Sequence, residues 1–191
     1  MIPMGKLYTG TKIGGKYMLL IKLIGCVLVI ISTTGMGLFF SGELKSRLED
    51  LKELKKIIIL LRGDIRYART PLPEAIGSIG RRHEGSYKTF LENVSLSLHE
   101  LSGQTFAQVW KRAVEEDLQE TSLVKKDKLD LIQFGENIGY LDKDMQMNTL
   151  DLYITQLEAE IIELTGNLKE KTYLYNTLGL MAGIFISIVL F

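Results

Sequence analysis

Two stretches of the chain carry no charge at all, residues 23–42 and 173–191. As helices at 1.5 Å per residue they are about 30 Å and about 28 Å long, each enough to cross a hydrocarbon core. All 23 acidic residues fall between them. This pattern excludes an ordinary soluble globule. It predicts two transmembrane helices, at 18–42 and 173–191, with residues 43–172 held between them. Residues 1–17 carry Lys6, Lys12 and Lys16 among four glycines and read as a disordered tail. Met18 begins a more natural membrane-protein start. A cleaved signal peptide is the competing reading of the first stretch, with small residues from Thr33 to Gly37.

Both apolar stretches carry small residues at helix-contact spacing. Gly179 and Gly183 form a GxxxG pattern, and Gly37 stands four residues from both Thr33 and Ser41. Small residues let helix backbones approach closely in lipid.

The central segment reads as helical throughout. Apolar positions run Leu44, Leu48, Leu51, Leu54, Ile58, Leu61 and Ile65. Before the second anchor they run Met147, Leu150, Ile154, Leu157, Ile161, Leu164 and Leu168. A spacing of about 3.5 makes an apolar seam along a helix. The two seams fit an antiparallel pair inside a bundle, or a coiled coil between copies. Between them, Pro71 and Pro73 stop one helix and start the next, with Glu74 in its first turn. Three shorter stripes follow. They are Tyr87, Phe90, Leu91, Val94, Leu98 and Leu101; Phe106, Val109, Trp110, Ala113 and Val114; and Leu131, Phe134, Ile138 and Leu141. No strict alternation occurs, so strands are not expected. The fold class predicted is all-α, a bundle of about six antiparallel helices between the two anchors.

The 23 Lys and Arg balance the 23 acidic residues, which argues against a generally basic nucleic-acid binder. The lone Cys26 permits no disulfide within the chain and no cysteine zinc site. Nucleotide, dinucleotide, zinc-hydrolase and nucleophile-elbow motifs are missing, so no enzyme, metal, cofactor or small-molecule substrate is expected. Ser122 and Lys125 match a Ser-x-x-Lys spacing, but in a Lys-rich stretch where Ser122 or Thr121 better serves as a helix cap. His83, after Arg81 and Arg82, reads as a solvated loop histidine. Trp110 reads as core.

Charge is uneven. Residues 43–88 hold 11 basic and 7 acidic residues, whereas 89–172 hold 8 and 16. Lys45, Arg47, Lys52, Lys55 and Lys56 crowd the start of the central segment and are candidates to meet anionic lipid headgroups. Glu115, Glu116 and Asp117, with Glu120, form an acidic knot that suits a basic partner surface. Gly135 and Gly139 share one helix face and allow a close neighbour, which leaves Glu136 and Asn137 free for a partner.

These segments resemble a known family. Thr70-Pro-Leu-Pro-Glu-Ala75 is similar to a motif of the stage III sporulation protein AB family of endospore-forming bacteria. So is Phe134-Gly-Glu-Asn-Ile-Gly139, with Asp142 and Gln146 following. The layout matches from about residue 18 to 191. The segment Gly135 to Leu141 also resembles Gly-Glu-x-x-Gly-x-Leu of type II secretion F proteins, the inner-membrane platform subunits. The resemblance implies a six-helix antiparallel bundle. It further implies a non-enzymatic subunit of a secretion-like complex that connects mother cell and forespore. Its implied partners are a cytosolic secretion-type ATPase and other membrane subunits, and its implied place is the mother-cell membrane. A two-anchor sensor or signalling protein using coiled-coil helices is the alternative. Lysine and arginine near the membrane ends favour a two-pass protein with a cytoplasmic central domain.

Overall fold

The computed structural model describes residues 11–68, 70–100, 103–139 and 143–190. Six helices follow in order: α1 (Thr11–Gly63), α2 (Leu72–Gly80), α3 (Gly85–His99), α4 (Phe106–Asp117), α5 (Lys125–Ile138) and α6 (Lys143–Leu190). A wider, π-type turn at Asp64–Ala68 closes α1. Among the described residues there is no strand. The chain forms two compact units. One takes residues up to Gly42 and from Lys169 onward, and the other is Glu43–Leu168. The two long helices each supply a segment to both. Residues 11–17, expected in a disordered tail, are the first turns of α1. Once a helix exists each added residue gains a hydrogen bond, enough to carry it through Gly14 and Gly15. The rest of that tail, with Lys6, lies outside the described residues, as do Leu101, Tyr140, Leu141 and Asp142.

In the first unit α1 and α6 pack as an antiparallel pair. A Cβ on Gly37 would stand 2.6 Å from the Tyr175 carbonyl oxygen, and one on Gly179 would stand 2.7 Å from that of Thr33. One on Gly183 would collide with the Thr33 hydroxyl. The small residues of the two stretches thus face each other. Several polar side chains here are satisfied by helix carbonyls or by each other, whereas the Thr34 and Thr172 hydroxyls are buried with no hydrogen-bond partner. Thr33 Oγ1 donates to Val29 O at 3.0 Å, Ser187 Oγ to Gly183 O at 2.8 Å, and Ser41 Oγ to Asn176 Oδ1 at 2.9 Å. The outward face is apolar, with Ile31, Phe39, Phe185 and Ile188 exposed. Both long helices are long and apolar enough to cross a membrane.

The second unit is a six-helix antiparallel bundle. Leu48, Leu51, Leu54, Ile58 and Leu61 of α1 and Ile65 of the turn that follows are buried, as are Leu150, Leu157 and Leu164 of α6. Met147, Ile154, Ile161 and Leu168 are half-buried beside them. The α6 seam therefore has one fully buried row, seven residues apart, flanked by a second row. The rising numbers of α1 meet the falling numbers of α6: Lys55 pairs with Glu158 and Arg62 with Asp151.

Pro71 and Pro73 open α2, whose first residue is Leu72. The ring-locked φ suits that position and the missing N–H costs nothing there. Ser95 Oγ of α3 donates to Pro73 O at 3.0 Å and satisfies a carbonyl at that start. Gly85 and Gly103 have φ of +64° and +72°, a backbone that side chains resist, and they set the turns before α3 and α4. Thr105 and Gln108 form a reciprocal capping box on α4. Trp110 is the centre of the core. Its ring lies 4.9 Å from Phe90 and 5.7 Å from Phe134, both edge-on, and its Nε1–H donates to Leu131 O at 2.8 Å. Such ring pairs add about 0.5–1.5 kcal/mol each beyond their buried area.

Candidate functional site

Arg47 was expected among lipid-facing lysines. Its guanidinium instead grips Asp127 of α5, with Nε–Oδ2 and Nη2–Oδ1 both at 2.8 Å, and reaches Glu160 of α6 at 2.6 Å. The Asp127 side chain is 3% exposed. Its Oδ2 also accepts from Val124 N at 3.0 Å, which caps α5. Lys126 closes the group on Glu160 at 2.6 Å. Three helices are thereby tied at one level. The Asp127 hydrogen bonds, above all, hold Arg47 above its already high ordinary pKa. Hydrogen bonds from Lys126 and then Arg47 hold Glu160 below the usual carboxylate range. The fork of a guanidinium matches a carboxylate edge, which a lysine cannot do.

The other basic candidates divide. Lys55 turns to Glu158 of α6 at 3.1 Å. Lys52 and Lys56 pair along their own helix with Glu49 and Glu53. Such exposed pairs contribute little. Lys45 is exposed.

His83 is not a solvated loop histidine. It is buried: Nδ1–H donates to Ile79 O at 2.8 Å, and Nε2 lies 3.1 Å from a Glu53 oxygen. It caps the end of α2 and turns toward α1. Ser122, of the Ser-x-x-Lys spacing, gives its backbone N–H to Asp50 Oδ2 at 2.7 Å. Burial nevertheless holds the Asp50 carboxyl above its ordinary pKa, against that hydrogen bond.

The Gly135–Gly139 face of α5 lies against α4. A Cβ on Gly135 would overlap the Trp110 indole, and one on Gly139 would stand 2.9 Å from Phe106 Cβ. Glu136 and Asn137 sit on the other side, exposed. The acidic end of α4 borders two clefts shared with α3. One, of about 410 Å³, is lined by Leu96, Glu100, Arg112, Glu116 and Asp117 among others. The second, about 580 Å³, joins Glu116 and Asp117 to Lys88, Gln119 and Glu120. Asn93 donates to Asp117 Oδ1 at 3.0 Å. Glu115 is exposed and lines neither cleft.

A third cleft, about 120 Å³, lies between α5 and α6 and includes Asn137. Tyr153 lines it, only 4% exposed, with its ring stacked on Phe134 at 4.7 Å. Its hydroxyl is buried with no hydrogen-bond partner. Burial, then the Asp130 and Asp127 charges, push that phenol well above its ordinary pKa.

Sequence reasoning missed Asp127, Glu160, Asp130 and Tyr153. The one available signal was Arg47 itself, the only arginine among the first basic residues of the central segment. Its partners are 80 and 113 residues away, beyond any local pattern.

The sequence matches the family description Stage III sporulation protein AB over residues 22–191. A relative of that name from Bacillus subtilis (strain 168) is 25% identical over 171 residues, 90% of this chain and 99% of the relative. A solved structure of Stage III sporulation protein AB (SpoIIIAB) superposes with a TM-score of 0.59 at 25% identity. That likeness covers 64% of this chain and 96% of the solved one.

Proposed function

The chain belongs to the stage III sporulation protein AB family, and from that premise we propose that it is a membrane platform subunit without chemistry of its own. It sits in a secretion-like complex between mother cell and forespore. Its two anchors hold it in the mother-cell membrane, and residues 43–172 face the cytosol. There they bind a secretion-type ATPase and neighbouring membrane subunits. One observation carries this reading: the apolar seams of α1 and α6 are buried inside a single chain. The seams are occupied, and carboxylates and amides of α3, α4 and α5 stand among the side chains that face solvent. That arrangement suits a rigid body with docking faces better than a sensor whose helices pair between copies.

The partner surface of this reading is the acidic end of α4, Glu115, Glu116 and Asp117, with Glu136 and Asn137 on α5. A basic partner face meets the first by charge complementarity, which speeds encounter and sets register. The test is Glu116→Lys with Asp117→Lys in sporulating cells. The variant should reach the membrane at parental levels and melt at the parental temperature. Co-purification of the ATPase and the yield of heat-resistant spores should both collapse. Parental spore yield would remove this surface from the partner assignment.

A further inference from the structure

The α5–α6 cleft joins three kinds of unpaired polar group. Tyr153 brings a buried hydroxyl with no partner. Asp130 brings a carboxylate that makes no hydrogen bond or ion pair among the described residues. Gln133, Asn137 and Gln156 bring side-chain amides in the same condition. Thr149 Oγ1 gives its hydrogen to Met145 O at 3.0 Å, so toward the cleft it offers lone pairs. A buried polar atom without a partner costs about 1–3 kcal/mol, and native folds rarely carry one without a use. The lining is rich in acceptors and carries one full negative charge. Leu152, 72% exposed, forms an apolar rim. The cleft of about 120 Å³ has the scale of a side-chain head.

We propose that this cleft is a guanidinium site, which receives an arginine side chain of a partner protein docked across α5 and α6. A guanidinium has five donors in a planar fork and no acceptor. Asp130 takes one edge in a charge-assisted pair. The amide carbonyls of Gln133 and Gln156, from opposite helices, and the Tyr153 oxygen take the remaining N–H groups. The aliphatic stem lies on Leu152. An ammonium, with three donors on one point, reaches fewer of acceptors spread over two helices. The source of the arginine rests on the platform reading; the chemistry of the cleft does not.

The test uses the full chain in detergent micelles with ¹³C-labelled tyrosine, the Tyr153 signal being identified by its loss in Tyr153→Phe. The probe is N-acetyl-arginine N-methylamide. It should shift the Tyr153 signal saturably, with Kd on the order of millimolar as befits one side chain. The citrulline analogue, equal in shape but neutral, should give no saturable shift. Asp130→Asn should weaken the arginine probe by about tenfold or more, the worth of a charge-assisted hydrogen bond. Equal shifts from both probes, or no shift from either, would overturn the guanidinium assignment in the parent protein, whether or not the variant folds. Free arginine binding about tenfold tighter than the capped residue would overturn the partner-protein source and make the ligand a metabolite. None of these outcomes touches the Glu116 and Asp117 assay, so the two readings fail separately.

Discussion

The same two helices obey different packing rules in their two halves. In the lipid-type unit the buried positions are Gly37, Ser41, Gly183 and Ser187. In the bundle unit they are Leu51, Leu54, Ile58, Leu150 and Leu157. The contrast follows from the solvent. Lipid tails are as apolar as leucine, so burying leucine in a membrane gains nothing. Close backbone approach and van der Waals contact must hold the helices instead. In water, removing large apolar side chains from solvent is the main driving force, at about 25 cal/mol per Å². Charge obeys the same division. The bundle half has a buried carboxylate because Arg47 forks onto Asp127. In the lipid-type half, the Thr33 and Ser187 hydroxyls bond back to carbonyls of their own helices, where no water is available to serve them.

The bundle half should break most sharply at its buried charge. Asp127→Ala leaves Arg47 with Glu160 alone and uncaps α5. It should cost about 3–5 kcal/mol, as losing one partner of a buried pair does. Thermal unfolding of the full chain in micelles, followed by far-ultraviolet circular dichroism, reads this. A loss below about 1 kcal/mol would mean the pair is solvated as surface pairs are. Next comes overpacking. Gly135→Leu, against the Trp110 indole, should lie at the top of the usual range of about 1–3 kcal/mol, with Gly139→Leu below it. Equal melting temperatures for parent and Gly139→Leu would contradict the close approach of α4 and α5.

The lipid-type half is sharpened by a cross-link. Cys26 Sγ lies 3.7 Å from Ser187 O, so Ser187→Cys places two thiols on facing helices. Oxidation should join them within one chain, giving faster migration on a denaturing gel. Adding Gly179→Leu should lower the yield several-fold, because the new side chain meets the Thr33 carbonyl. An unchanged yield would show that small residues do not set the spacing. The smallest effect is a pH limb. The folded Glu160 pKa is depressed, so its stabilisation is complete above the unfolded value of about 4.3 and is lost as pH falls through the folded value. Stability should stay level on this account from neutral pH to about 5 and fall below about 4. Glu160→Gln should flatten that acid limb.

The sequence was most informative where periodicity or steric need repeats locally. The seams from Leu48 to Ile65 and from Met147 to Leu168, the break at Pro71 and the small residues Thr33, Gly37, Gly179 and Gly183 all follow spacing. What lay beyond local pattern was the choice of partner. Arg47 stands in a run of lysines, and nothing nearby announces that a carboxylate 80 residues on will take it. His83 follows two arginines, which suggests solvent, yet the Ile79 carbonyl at the end of α2, which also takes the Arg82 N–H at 3.0 Å, draws its ring inward. Tyr153 occupies no seam position at a spacing of 3.5. Its burial comes from Phe134 on a neighbouring helix, and only the assembled bundle fixes that.

The platform reading turns on the side of the membrane that residues 43–172 face, because a cytosolic ATPase can dock on one side alone. The direct measurement replaces Cys26 by serine and introduces Gln104→Cys, an exposed position in the turn before α4. Intact cells are then treated with a membrane-impermeant maleimide. Labelling that appears only after the cells are opened is the result predicted. Labelling in intact cells, with a cytosolic control protein untouched, would put the bundle on the far side of the membrane and contradict the account.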